Sequence, residues 1–142
     1  MSTDLAGEVE FLAARARALG TGTANEFLAP LNLRVRSYAV LALACSGENP
    51  SQRDLAEFLS LDASQIVPLV DELESRGLVI RSADPRDRRS NSIEATADGR
   101  ALYATAKAAI TQAEAASLGA LTAQERDTLR SLLRRIAFPQ HE

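Results

Sequence analysis

Tryptophan is absent, aromatic residues make up 4% of the 142 positions, and cysteine and histidine occur once each. The lone cysteine, Cys45, excludes a disulfide within the chain and fits a reducing cytoplasm. One cysteine and one histidine, His141 in the tail, are too few for a zinc site built from those ligands. No apolar run reaches the roughly 20 residues that cross a bilayer. Met1-Ser2-Thr3-Asp4 lacks the basic-then-apolar order of a signal peptide. A cytoplasmic chain without a membrane partner is therefore expected. Nor is there a nucleophile–base pair, a phosphate-binding glycine loop or metal-ligand spacing, so neither an enzyme nor a cofactor is expected.

Positive charge is also scarce overall. Sixteen Lys and Arg face 19 Asp and Glu, for a net charge of −3. The scarcity is uneven. Between Arg76 and Ile93 lie five arginines (76, 81, 86, 88 and 89) against two aspartates (84 and 87), a local excess of three positive charges. A basic stripe on an acidic body is compatible with DNA binding, with modest non-specific affinity.

What is abundant is Ala and Leu in a chain that is 46% apolar, which favours a mainly helical protein with close helix contacts. Leu5, Val9, Leu12, Ala16 and Leu19 set a first helix from Asp4 to about Leu28, with Gly20 and Gly22 weakening or bending its second half. A strongly apolar helix covers Val35 to Cys45. Ser51, with Asp54 three residues on, caps a third helix whose buried face is Leu55, Ala56, Phe58 and Leu59. Asp62 caps a fourth, with Gln65 at the reciprocal position. There Ile66, Leu69, Val70 and Leu73 recur at i, i+3, i+4 and i+7, and Gly77 ends it. Leu78–Ser82 and Ser92–Thr96 read as paired strands around an exposed arginine-rich tip. Thr96 caps a long helix from about Ala97 to Leu118, which Gly119 breaks. Thr122 and Glu125 then open a last helix carrying Leu129, Leu132, Leu133 and Ile136.

The order helix, turn, helix, basic hairpin is that of a winged helix-turn-helix, in which the second helix enters a major groove of double-stranded DNA and the wing reaches a minor groove. The expected fold is mainly α: a winged helix-turn-helix region over 35–96 with a two-stranded β wing, flanked by helices in 1–34 and 97–142. The apolar faces of those flanking helices need cover, which a two-fold homodimer supplies most simply.

The motifs Leu55-Ala56, Leu59-x-Leu61, Leu73-Glu-Ser-Arg-Gly-Leu-Val79, the wing Asp84-Pro-Arg-Asp-Arg-Arg89 and Thr96-Ala-Asp-Gly-Arg-Ala-Leu102 resemble the MarR family of bacterial transcriptional regulators over nearly the whole length. The resemblance implies a homodimer built from the first and last two helices and a recognition helix at about 62–76. It implies a repressor-like protein whose DNA affinity falls when a small, often phenolic or aromatic effector binds between its two parts. It also implies that Asp87 orients Arg89 into a minor groove. The chain departs from the family at Ala95, where a bulky aliphatic is usual, and at Pro68 in the recognition helix. Proline there forfeits the amide bond to the Ser64 carbonyl, so a kink or a loosened first turn is expected.

Residue by residue, Ser64 and Gln65 occupy the first turn that meets base edges; the alternative is capping or plain surface. Gln pairs with adenine N6 and N7, whereas Ser is less selective. Val67 and Pro68 are placed for a thymine methyl, with burial of Val67 the alternative. Arg86, Arg88 and Arg89 are either a solvated turn or DNA contacts, with Arg89 the one to insert. Arg53 and Arg76 are candidates for phosphate contact or for surface salt bridges. Cys45 reads as a small buried residue, since nothing near it in sequence supplies a cation that would activate a thiol. Phe27, Tyr38 and Tyr103, along with Phe11, either line an effector pocket or simply pack. Two functions compete: a ligand-responsive regulator that reads DNA as a dimer, and a winged-helix protein-interaction module without specific DNA binding. The net negative charge, Asp71, Glu72 and the apolar Val67-Pro68 pair lean toward the second; the basic wing leans toward the first.

Overall fold

The computed structural model describes residues 3–139 other than Pro85, and only the backbone at 84 and 87–90. A 3₁₀ turn, Asp4–Gly7, precedes α1 (Val9–Leu28), and a second, Ala29–Leu31, leads to α2 (Val35–Ala44). Then follow α3 (Gln52–Leu59), α4 (Ala63–Ser75), β1 (Val79–Asp84), β2 (Asp87–Ala95), α5 (Ala97–Ser117) and α6 (Ala123–Ala137). The fold is mainly helical with one antiparallel two-stranded sheet, a winged helix-turn-helix flanked by helices at both ends.

The caps act where the sequence places them. Ser51 Oγ accepts the Asp54 amide at 3.0 Å while Asp54 returns a carboxylate oxygen to the Ser51 amide at 2.9 Å. Thr122 and Glu125 repeat the exchange. Thr96 Oγ1 accepts the Gly99 amide at 3.0 Å and reaches the Gly77 carbonyl at 2.7 Å, tying the start of α5 to the end of α4. Gly99 is required at that junction, since a Cβ there would overlap the Leu78 carbonyl. Gly77 takes the left-handed conformation (φ 74°) that closes α4 and starts β1.

The core lies within the winged region. Val40, Leu41, Leu55, Ile66, Val70, Leu73, Val79 and Ile93 are all buried, and Leu28 from α1 joins them. Ile93 donates its amide to the Pro50 carbonyl at 2.7 Å, and Ser51 bridges Ser92, so β2 also fixes the entry to α3.

Three expectations need correction. The first helix begins at Val9, because Glu8 is extended (φ −80°, ψ 134°) and separates it from the 3₁₀ turn. The helix runs on through Gly20 and Gly22 to Leu28. The strands run further than composition indicates, pairing Ala83 with Asn91 and Asp84 with Asp87 past an irregularity, because backbone pairing outweighs the turn-like side chains. Phe58 is 58% exposed rather than buried; its ring lies 5.7 Å from that of Phe138 just beyond α6. In contrast, α4 continues through Pro68 to Ser75 without a break. Its first turn is held by two amides, those of Gln65 and Ile66, both bonded to the Asp62 carbonyl.

The flanking helices are packed more thinly. α1 lies along α5, but Val9, Leu12 and Leu19 face outward. No residue of α6 is buried. Arg130 ties α6 to Glu114 of α5 at 2.8 Å, and Leu132, Leu133 and Ile136 remain exposed.

Candidate nucleic-acid interface and effector cleft

The first half of α4 presents Ser64, Gln65, Val67 and Pro68 to solvent, while Ile66 and Val70 hold the opposite face in the core. Val67 is 37% exposed, so the burial alternative does not apply. Gln65 is partly committed: its Oε1 accepts the Asp62 amide at 3.0 Å. That bond uses one of the oxygen's two lone pairs and holds the carboxamide in its capping orientation, so the bidentate pattern that reads adenine would have to share or release the cap.

The wing lies against the motif through arginines. Arg86 pairs with Asp54 of the α3 capping box at 3.2 Å. Asp54 is held below the usual carboxylate range, first by the Ser51 amide and further by Arg86. The side chains of Asp87, Arg88 and Arg89 lie outside the described residues, as does His141. Arg53 is well exposed and reaches Glu57 at 3.6 Å, an i,i+4 surface pair of little energetic weight. Arg76 is placed differently from either expectation. Its guanidinium donates to the Asn32 carbonyl at 2.7 Å and the Leu31 carbonyl at 3.1 Å, clamping the end of α4 to the turn before α2.

In the sequence Arg81 is one basic charge among five; in the fold it is central. Arg81 of β1 bonds Asp71 at 2.6 Å and Glu74 at 2.7 Å on α4, and Gln52 of α3 at 3.0 Å. Its side chain is only 17% exposed. One guanidinium thus fixes the wing to both helices of the motif and neutralises two carboxylates on α4. The spacing of Asp71 and Glu74 on one helical face was a usable signal for a planar cation; which arginine would meet them was not.

A cleft of about 800 Å³ opens between α1, the 29–37 segment and α4. Ala14, Ala18 and Thr21 line its α1 side, Leu69 and Glu72 line it from α4, and Arg17, Arg34 and Arg36 border it from two walls. Asn25 holds the corner by accepting the Val35 amide at 2.9 Å. Asn32, which Arg76 clamps, sits in the left-handed region (φ 55°), where Asn is tolerated.

The aromatic trio does not line this cleft. Tyr38 and Tyr103 meet each other across α2 and α5, ring centroids 5.8 Å apart. Burial, and then the Tyr103 phenol, push Tyr38 up to about 12. Phe27 is half-buried on α1, and no ring contact joins it to either tyrosine among the described residues. Cys45 follows α2 half-buried, and burial raises its thiol despite the opposing charge of Arg100. Among the described residues no cluster of three His, Cys, Asp or Glu could hold a metal ion. No helix among them is long and apolar enough to cross a membrane.

A sequence profile of the MarR family matches residues 33–90. A solved MarR-family transcriptional regulator from Rhodococcus sp. RHA1 superposes with a TM-score of 0.92 at 43% identity, covering 99% of this chain and 100% of that one. CouR from Rhodococcus jostii RHA1, solved bound to p-coumaroyl-CoA, is 44% identical over 99% of both chains with a TM-score of 0.85. The transcriptional repressor NicR of Pseudomonas putida is 36% identical over 86 residues, 61% of this chain. The chain spans 60% and 54% of the lengths of the first curated relatives it matches. By profile, by full-length likeness and by fold, the chain belongs to the MarR family of transcriptional regulators.

Proposed function

We propose that this regulator is a homodimeric, sequence-specific DNA-binding repressor whose operator affinity is lowered by a small effector. The observation that carries the reading is the solvent-facing run Ser64, Gln65, Val67 and Pro68 at the start of α4, beside a basic wing. Residues 35–96 form the reading unit. Two copies of α4, related by a two-fold axis, address half-sites about one helical turn, roughly 10 base pairs, apart. Arg53 takes a phosphate; Arg86, Arg88 and Arg89 serve the wing contact, with Asp87 orienting Arg89 into the minor groove. Gln65 reads through its amide nitrogen while its oxygen keeps the cap. Arg76 acts from behind as a clamp and is not among the phosphate contacts.

Residues 1–34 and 97–142 form the dimerising part. Support comes from the apolar side chains left open on α1 and α6, which a partner copy covers. The p-coumaroyl-CoA bound to CouR supports an aromatic acyl compound as the effector class here.

The test is fluorescence anisotropy on the intergenic DNA upstream of the gene, against a scrambled duplex, at two salt concentrations. Tight, salt-sensitive binding that prefers the native duplex is expected. Binding with no sequence preference, also after selection from random DNA, leaves the winged helix as a protein-contact module, which the net charge of −3 and exposed Val67-Pro68 then explain.

A further inference from the structure

We infer that the ring contact between Phe58 of α3 and Phe138 at the end of α6 is a strut that sets the position of the reading motif against the dimerising helices, and so the separation of the two copies of α4. It goes beyond the reading above and rests on its homodimer. The ring centroids lie 5.7 Å apart with the planes tilted by 33°, inside the roughly 4.5–7 Å at which aromatic rings attract. Among the described residues both ring–ring contacts, Tyr38–Tyr103 and Phe58–Phe138, cross from the reading region to the flanking helices. Four of the chain's six aromatic residues thus meet at one seam.

Both ends of the strut are firmly attached. The Phe138 amide donates to the Arg134 carbonyl at 2.9 Å, which holds Phe138 to the last turn of α6. That helix carries Leu132, Leu133 and Ile136, exposed within one chain and covered by the partner copy in the dimer read above. Phe58 lies in the last turn of α3. Just beyond it the Leu61 amide donates to the Ala56 carbonyl at 3.0 Å, Ser60 turns the chain in the left-handed conformation (φ 56°), and Asp62 caps α4. A displacement of Phe58 is therefore passed to the first turn of α4, where Ser64 and Gln65 sit.

The other anchors of the reading region come from α5. Thr96 holds the Gly77 carbonyl at 2.7 Å, beyond the far end of α4, and Tyr103 meets Tyr38 on α2. Neither anchor touches α3, which packs on α2, α4 and β2. A body held at one side rocks about that side, and a hold on the opposite side fixes its angle. Without the strut the start of α4, the end that meets base edges, swings about the α5 junction. Two half-sites at a fixed spacing then select a smaller share of the dimer's conformations, and affinity falls through lost preorganisation. Neither ring is charged, so no phosphate contact goes with it.

The test uses the full chain. A spin label at Arg53→Cys, a well-exposed position, in a Cys45→Ser background gives one copy-to-copy distance by pulsed electron resonance without DNA. Phe58→Ala broadens that distribution, while sedimentation velocity shows the dimer retained. In unlabelled protein, Phe58→Ala and Phe138→Ala each lower operator affinity by roughly tenfold, in keeping with two ring pairs per dimer. The double variant loses no more than either single one, because each substitution removes the same contact. The salt slope stays as in the parent. The penalty for one base pair inserted between the half-sites shrinks, which a loss of stability alone does not produce. Phe138→Tyr keeps a ring and restores parent behaviour. An unchanged distance distribution, losses that add in the double variant, or an unchanged spacing penalty each overturns the inference. Failure of the reading above shows instead in the parent protein, as a monomer or as a dimer without duplex preference. A monomeric parent removes the strut as well. In a dimeric parent without duplex preference, the distance distribution alone upholds or overturns it.

Discussion

The winged region hides Leu41, Leu55, Ile66 and Leu73 completely, while the helices at the two ends leave Val9 77%, Leu19 62% and Ile136 70% exposed. Both regions carry apolar residues at helical spacing. In the first, three helices, a hairpin and the caps at Ser51 and Gly77 close around those residues within one chain. In the second, α1 packs mainly on α5 and buries only Leu28, and α6 has no buried residue at all. Fully burying a large aliphatic side chain contributes roughly 1.5–3 kcal/mol, so the open faces represent stability that this chain cannot realise alone. Periodicity reports that a face is apolar; it does not report whose surface covers it.

Truncation inside the closed region has the largest expected effect. Leu73→Ala removes a side chain with no exposed surface, and urea denaturation should show a loss of about 2–5 kcal/mol. The same truncation at Leu19, 62% exposed, should cost much less in the dissociated protein. A Leu73→Ala loss no greater than that of Leu19→Ala would erase the distinction between the regions.

Charge on the open faces comes next. Val9→Asp with Ile136→Asp should raise the dimer dissociation constant by roughly a hundredfold, since carboxylates are costly in an apolar interface. Sedimentation velocity at micromolar concentration reads this directly, with far-ultraviolet circular dichroism retained. The parent's melting temperature should rise with protein concentration and the variant's should not. A variant that sediments like the parent would mean that these faces are not what joins two copies.

The same division explains how far the sequence could be read. Ser51/Asp54, Thr122/Glu125, Thr96 and Gly77 are local devices, and each acts as its spacing indicates. The buried stripe Ile66, Val70 and Leu73 is likewise local. What failed is non-local. Phe58 satisfied the helical stripe of α3, yet it turns to Phe138, 80 positions away in the chain. In the sequence Arg76 suits a phosphate contact or a surface ion pair, but its partners are the carbonyls of Leu31 and Asn32. Arg81 lies between two helices whose relative position only the fold determines. Of the three aromatics, Tyr38 and Tyr103 meet across α2 and α5, while no ring contact joins Phe27 to either among the described residues.

Arg81 sharpens the comparison at the seam between wing and motif. Its partners Asp71 and Glu74 are 60% and 42% exposed, so screening limits the contribution of the pairs, and Arg81→Ala should cost about 1 kcal/mol or less of stability. Operator affinity should nevertheless fall by roughly tenfold, because the wing loses its angle and two carboxylates on α4 regain their charge beside DNA. The salt slope should stay unchanged, since no phosphate contact is lost. Arg53→Ala provides the contrast: if Arg53 holds a phosphate, its removal should weaken every duplex alike and lower the slope by about one. A fall in slope for Arg81→Ala would make it a DNA contact instead of a positioning residue.

The smallest effect concerns Asp54, which joins the α3 cap to the wing. Its carboxyl is held low first by the Ser51 amide and also by Arg86. A carboxyl lowered in the folded state contributes stability that is present above its unfolded value near pH 4 and is lost as pH falls through the lowered folded value. The partners are substantially solvent-exposed, so the contribution is a few tenths of a kcal/mol by the standard of exposed pairs. Asp54→Asn keeps an oxygen for the Ser51 amide and removes the titration. Its stability should therefore fall slightly less steeply than the parent's as pH drops below about 4, read as the difference between two series of urea midpoints. The pairing with Arg86 adds a second readout. Since that contact reaches the wing, the Asn variant should also exchange the amides of 86–91 faster at neutral pH, while those of α5 stay unchanged. Equal exchange in the wing would confine Asp54 to its cap and leave Arg81 as the main side-chain tie between hairpin and helices.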